Sequence, residues 1–190
     1  MKKWFPKILT AGSLVGLVAS FWQAAERVHM LKNGAQNLQC NLNPVIECGG
    51  VLSHRLAALF GFPNAFIGMV VFAMLLAAGL FLLSGVKPNL FFRRFVMALS
   101  TILILFSFWF FGVSLYVIGK VCIFCIFIWA ASVPIFWYGL LDYLSASKRS
   151  SNWQDFVYQF GTKNHLSVLI TVYAVMLAMF LLKFKEYYFG

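Results

Sequence analysis

Four cysteines, Cys40, Cys48, Cys122 and Cys125, are the residues of this 190-residue chain whose type and spacing most directly imply chemistry. They fall into two close pairs. Cys122-Ile123-Phe124-Cys125 is a CxxC: at i and i+3 on a helix its sulfurs share one face, separated by roughly 4.5 Å of rise. A helix N-terminus carries partial positive charge and lowers the pKa of a thiol placed there, and Lys120 adds to that field. Such a pair suits reversible disulfide exchange. Cys40 and Cys48 differ in kind. A continuous helix would hold them roughly 12 Å apart, beyond the limit of about 7 Å between Cα atoms in a disulfide, whereas a loop bent at Asn43-Pro44 brings them together. An exposed pair in a polar loop and a second pair embedded among Phe124, Phe127 and Trp129 form a relay by thiol–disulfide exchange. A reducible pair at that depth needs a lipid-soluble redox partner, and quinones are the abundant ones. Two structural disulfides, or a zinc site at the membrane boundary, are the alternative uses of these cysteines.

The elements that must position them are membrane helices. Apolar residues make up 62% of the chain and charged residues 11%, with 22 Phe; a soluble domain averages about 45–50% and about 25%. The excess apolar surface must face lipid. Five stretches are long and apolar enough to cross a bilayer, which needs roughly 20 residues: Ile8 to Ala25, Phe62 to Ser84, Phe95 to Ile118, Val121 to Leu144 and Leu166 to Phe184. The expected fold class is an all-α integral membrane helix bundle. Lys2, Lys3 and Lys7 before the first run, with Val18-Ala19-Ser20 within it, also describe a cleavable secretory signal. Phe21, Trp22 and the two alanines after them lengthen the run, which favours a retained helix. Gly12 and Gly16 in that helix form a GxxxG suited to close packing.

The net charge of +10 does not indicate nucleic acid, because Lys and Arg occur in short clusters between uncharged runs rather than as a basic face. It sets orientation instead. With the N-terminus in the cytoplasm, Lys2, Lys3, Lys7, Lys87, Arg93, Arg94, Lys148, Arg149 and Lys163 are cytoplasmic. Arg27, Lys32, Arg55, Lys120, Lys183 and Lys185 lie on the other side, nine against six. Both cysteine pairs are then extracytoplasmic. The loop from Glu26 to Gly61 carries turn signals at Asn33-Gly34, Asn43-Pro44 and Gly49-Gly50. Val51 to Phe60 has apolar residues at helical spacing, and reads either as a partial surface helix or as irregular loop.

These residues resemble the vitamin K epoxide reductase family, particularly its bacterial members. The resemblance rests on an ordered set: Cys40-x7-Cys48 after the first helix, Phe62-Pro63-Asn64-Ala65-Phe66-Ile67-Gly68 opening the second, Cys122-Ile123-Phe124-Cys125 opening the fourth, and the helix order itself. It covers roughly residues 8–145. It implies a four-helix catalytic core over 1–145 with a periplasmic loop at 26–61, then a cytoplasmic loop and fifth transmembrane helix over 146–190. It implies Cys125 beside a quinone ring (ubiquinone or menaquinone), Cys122 as its resolving partner, Cys48 exchanging with Cys122, and Cys40 meeting the thiols of a soluble partner. Asn64 matches an asparagine that donates to a quinone carbonyl, though an amide bracing the helix start after Pro63 fits the same position. Trp129 stands where some members carry an aromatic hydroxyl; it can pack on a quinone but offers no phenol. Ser53 and His54 read as surface polar groups, and Phe106 to Phe111 either line a quinone pocket or, as the default, face lipid.

Longer bacterial relatives continue into a thioredoxin-like domain. The short tail from Lys183 to Gly190 leads to the expectation of a separate periplasmic DsbA-like thioredoxin-fold partner and a bacterial inner-membrane location. The implied activity is that of a quinone-dependent disulfide-generating oxidoreductase. The same relay could run toward vitamin K epoxide. The other bacterial disulfide-oxidase family places its CxxC before the loop pair, the reverse of the order here.

Overall fold

The computed structural model describes residues 4–34, 38, 40–147 and 152–189. Lys2, Lys3, Lys148 and Arg149, which enter the charge count, lie outside them. Helix α1 spans Phe5–Asn33, with Pro6 in its first turn, where a missing N–H loses no intrahelical bond. It ends at Gly34, whose φ of 83° and N–H bond to the Met30 carbonyl realise the turn expected at Asn33-Gly34. α1 is longer than the expected apolar run at both ends. Hydropathy marks the part of a helix that lies in lipid, and Glu26–Asn33 adds two polar turns beyond it.

Helix α2 (Cys48–Ser53) and a 3-10 turn (Arg55–Ala58) follow in the loop. Next come α3 (Asn64–Leu83), α4 (Leu90–Gly112) with a wider continuation over Val113–Ile118, and α5 (Ile123–Ala146). α6 (Asn152–Lys163), α7 (His165–Lys183) and the short α8 (Lys185–Phe189) complete the order. α1, α3, α4 with its continuation, α5 and α7 are long and apolar enough to span a membrane. The chain is an all-α, multi-pass membrane helix bundle, as its composition implied.

Lipid tails are as apolar as the side chains, so helix association must come from close packing rather than from the hydrophobic effect. α1 is the axis of that packing: it lies against α3 and α5, and α4 lies against α5. The two glycines of the GxxxG serve different neighbours. Gly16 admits the ring of Phe72 on α3, and Gly12 faces Ile135 on α5. Phe72, Leu75, Leu9, Ile135 and Leu141 fill the space between these helices. Near the start of α4, Arg93 forms an ion pair with Asp142 of α5.

α7 has no buried residue. It is tied to α5 by Tyr173, whose hydroxyl donates to the Ala130 carbonyl (2.7 Å), and by the Tyr138–His165 hydrogen bond (2.9 Å). Two local expectations are corrected. Gly49-Gly50 is not a turn but the first turn of α2; Gly50 leaves room there for the stem of Lys120. The stretch read as a cytoplasmic loop contains α6, an amphipathic helix whose Trp153, Phe156 and Phe160 stack in succession.

Candidate functional site

The loop that carries Cys40 and Cys48 is shaped by Asn43. Its Oδ1 accepts from the backbone N–H of Val45 (2.9 Å) and Ile46 (2.7 Å), an Asx-type turn that Pro44 pre-sets. The bend brings the Cys40 and Cys48 Cα atoms to 5.7 Å, and the two form a disulfide. Asn41 then accepts the N–H of Gly49 (3.1 Å) at the start of α2.

A second device fixes this loop against the CxxC. Ile46 and Val121 form a parallel bridge: Val121 N–H donates to Val45 (2.9 Å) and Glu47 N–H donates to Val121 (3.0 Å). Glu47 and Lys120 make an ion pair beside it. Each residue of the bridge precedes a cysteine by one or two positions, so pinning Ile46 to Val121 delivers Cys48 to Cys122. Their Sγ atoms are 3.2 Å apart. Cys48 is disulfide-bonded and has no proton, so the Cys122 thiol is the donor in this contact.

Cys122 has extended backbone and caps α5, while Cys125 sits in its first turn. The expected helix-start position is therefore found, with Cys122 just outside the helix rather than on it. Both are free thiols. The hydrogen bond from the Cys125 thiol lowers the Cys122 pKa below the ordinary thiol value; burial opposes this, and the N–H groups of Cys125 and Phe124 add to it. The exposure expected for the loop pair is not found. Cys40 is 5% exposed and Cys48 0%, as deeply covered as Cys122 (0%) and Cys125 (2%). The loop folds inward because Leu38, Val45, Val51 and Leu52 form one apolar cluster with all four cysteines, Phe111 and Trp129.

Cys125 lies on the wall of an apolar cavity of about 260 Å³ that Asn64, Trp129, Phe106 and Phe110 also line. Trp129 is held edge-to-face on Phe111, with ring centroids 4.9 Å apart. The Asn64 amide braces the loop: Nδ2 donates to the Leu56 carbonyl (2.7 Å) and Oδ1 accepts from Leu59 N–H (3.0 Å). Ser53 is exposed, and His54 accepts from Leu56 N–H to cap the 3-10 turn. The Phe106–Phe111 run divides: Phe106 and Phe110 face the cavity, Phe111 packs on Trp129, and Phe108 and Trp109 are exposed.

Sequence reasoning missed one residue of this site. Gln23 of α1 is buried (7% exposed), lines the cavity, and donates from Nε2 to the Cys125 sulfur at 3.2 Å. A polar side chain inside an apolar span was the available signal, since such residues mark functional sites.

The sequence model of the vitamin K epoxide reductase family matches residues 7–140. No curated protein matches the chain.

Proposed function

The chain belongs to the vitamin K epoxide reductase family, a membrane oxidoreductase family, and from that premise we propose that it oxidises the thiols of a separate periplasmic DsbA-like thioredoxin-fold protein and delivers the electrons to a membrane quinone. The observation that carries the reading is the row of sulfurs: the Cys40–Cys48 disulfide touches Cys122 at 3.2 Å, and Cys125 lines an apolar cavity. In this reading the protein lies in a bacterial inner membrane with its cysteines on the periplasmic side, an orientation supported by the excess of Lys and Arg in the segments assigned to the cytoplasm, nine against six.

In the proposed cycle a partner thiolate attacks Cys40, and the Cys40–Cys48 bond breaks with its electron pair on Cys48. The Cys48 thiolate attacks Cys122 of an oxidised Cys122–Cys125 pair; a Cys48–Cys122 bond forms and the Cys125 thiolate is released. The partner's second thiolate attacks the partner sulfur bound to Cys40, which completes the partner's own disulfide and releases the Cys40 thiolate. That thiolate attacks Cys48, restores the first disulfide and releases Cys122, so that Cys122 and Cys125 are left reduced, the arrangement present in the structure. A quinone supplies the two-electron acceptor that re-forms Cys122–Cys125, and two electrons and two protons leave with it.

The cavity suits a quinone ring. Its wall is almost wholly apolar, the aromatic side chains of Trp129 and Phe110 line it, and Asn64 retains one N–H beyond the bond to Leu56. In this reading Asn64 holds a carbonyl of the acceptor, Trp129 packs on its ring and Cys125 is the reacting sulfur. The covered Cys40 requires the loop to lift when the partner docks.

Quinone reduction by the purified protein with a reduced DsbA-like donor tests the scheme. Turnover with ubiquinone or menaquinone, lost in each single Cys→Ala variant, is the expected result. Absence of turnover would leave two cysteine pairs without a redox role. The same sulfurs serve the family's namesake reaction, so vitamin K epoxide belongs in the assay as an alternative acceptor.

A further inference from the structure

We propose that Gln23 is a further catalytic residue, whose side-chain amide holds the Cys125 thiolate when the Cys122–Cys125 bond opens; this rests on the relay described above. Gly16, Ser20, Gln23 and Arg27 form one stripe along α1 at helical spacing. Gly16 meets Phe72, Ser20 approaches Gly68, and Arg27 donates to the Leu52 carbonyl. Gln23 is the member of the stripe directed at a cysteine, with Nε2 3.2 Å from the Cys125 sulfur.

A buried amide in an apolar span is costly unless it is hydrogen-bonded, and a thiol is a poor acceptor. The arrangement becomes favourable when charge arrives. In the exchange step the Cys48–Cys122 bond forms, the Cys122–Cys125 bond breaks, and the electron pair goes to Cys125 inside a nearly apolar cavity. An N–H donor already in place then makes a charge-assisted bond, roughly twice as strong as a neutral one. Asn64 Nδ2 and the Arg27 guanidinium each bond a backbone carbonyl, at Leu56 and Leu52, whereas the Gln23 amide bonds the Cys125 sulfur.

The test reads the thiolate without a quinone. In a Cys122→Ser background with the Cys40–Cys48 disulfide intact, Cys125 is the one free thiol, and its alkylation by N-ethylmaleimide at pH 7 follows its thiolate character. Gln23→Met keeps length and removes the donor. Gln23→Glu keeps shape and replaces the donor with an anion. Both should slow alkylation by about 3- to 10-fold, which allows for the compensating rise in nucleophilicity. Ser13→Ala, a buried α1 position away from the cavity, should leave the rate unchanged and controls for disturbance of the helix.

In the four-cysteine protein, Gln23→Met should lower kcat for quinone reduction and leave KM for the soluble donor in place. Unchanged alkylation in both Gln23 variants overturns the proposal, while wild-type quinone turnover would still uphold the relay. Slowed alkylation in a wild-type protein that reduces no quinone would instead keep the hydrogen bond and remove the relay.

Discussion

The sulfur of Cys48 lies 3.2 Å from the sulfur of Cys122, across 74 residues of sequence. Nothing in either cysteine's own helix produces this contact. It follows from the two-residue bridge between Ile46 and Val121, with the Glu47–Lys120 ion pair beside it.

This geometry predicts which new disulfide forms when the outer sulfurs are removed. In the Cys40→Ala/Cys125→Ala double variant, diamide should join Cys48 to Cys122 nearly completely. The Cys48→Ala/Cys125→Ala variant, which leaves Cys40 and Cys122, should cross-link far less. Peptide mapping without reductant reads both products, and equal yields would contradict the assigned order of the sulfurs.

Asn64 braces the loop with both ends of its amide. Asn64→Ala leaves the Leu59 N–H and the Leu56 carbonyl without that partner, at a cost of about 1–3 kcal/mol. Asn64→Asp keeps the acceptor and loses the donor. The thermal midpoint in detergent should fall more for alanine than for aspartate, whereas KM for quinone should rise in both. A quinone KM that stays put in both variants would confine Asn64 to its bracing role.

Arg93 and Asp142 pair where both side chains are mostly buried, 14% and 12% exposed. Removing one partner strands a charge. Asp142→Ala should therefore destabilise the bundle by about 3–5 kcal/mol, while Arg93→Met/Asp142→Leu together should recover most of that loss. Thermal unfolding of the three proteins in one detergent decides it, and a double variant no better than the single would count against the argument.

At Gly16 an added Cβ would sit 2.2 Å from the Phe72 ring; at Gly12 it would meet the end of Ile135 at 3.1 Å. Phe72 is fully buried and cannot turn aside. Gly16→Ala should cost about 1–3 kcal/mol as overpacking, partly restored by Phe72→Leu, and Gly12→Ala should cost less. Equal losses at the two glycines would show that α1 does not pack as described.

The spanning helices were legible because a bilayer imposes one length and one composition, and each long apolar run became a helix. The bend at Asn43-Pro44 was legible because asparagine and proline carry their turn chemistry locally. What escaped the sequence is of three kinds. The Ile46–Val121 bridge joins two residues whose neighbours show no strand pattern. The inward fold of the cysteine loop depends on Leu38, Val45 and Val51 meeting Phe111 and Trp129, contacts between distant segments that read separately as loop and helix. α6 escaped because its mean hydropathy is near that of a loop, although Trp153, Phe156 and Phe160 repeat at helical spacing. Gln23 sits where an apolar run begins to give way to polar residues, so its position alone does not separate a helix end from a site.

The burial of the Cys40–Cys48 disulfide bears on the traffic of the proposed relay. A small thiol diffusing past this face meets hydrocarbon, since neither sulfur is offered to solvent. A docking protein could use its binding energy to rearrange the apolar cluster that holds the disulfide, Leu38 and Val45 included, and a small free thiol has little such energy to contribute. In the proposed relay, admission would be decided by shape before redox potential, and the oxidising power of a membrane quinone would be kept from the general thiol pool and released to a bound client.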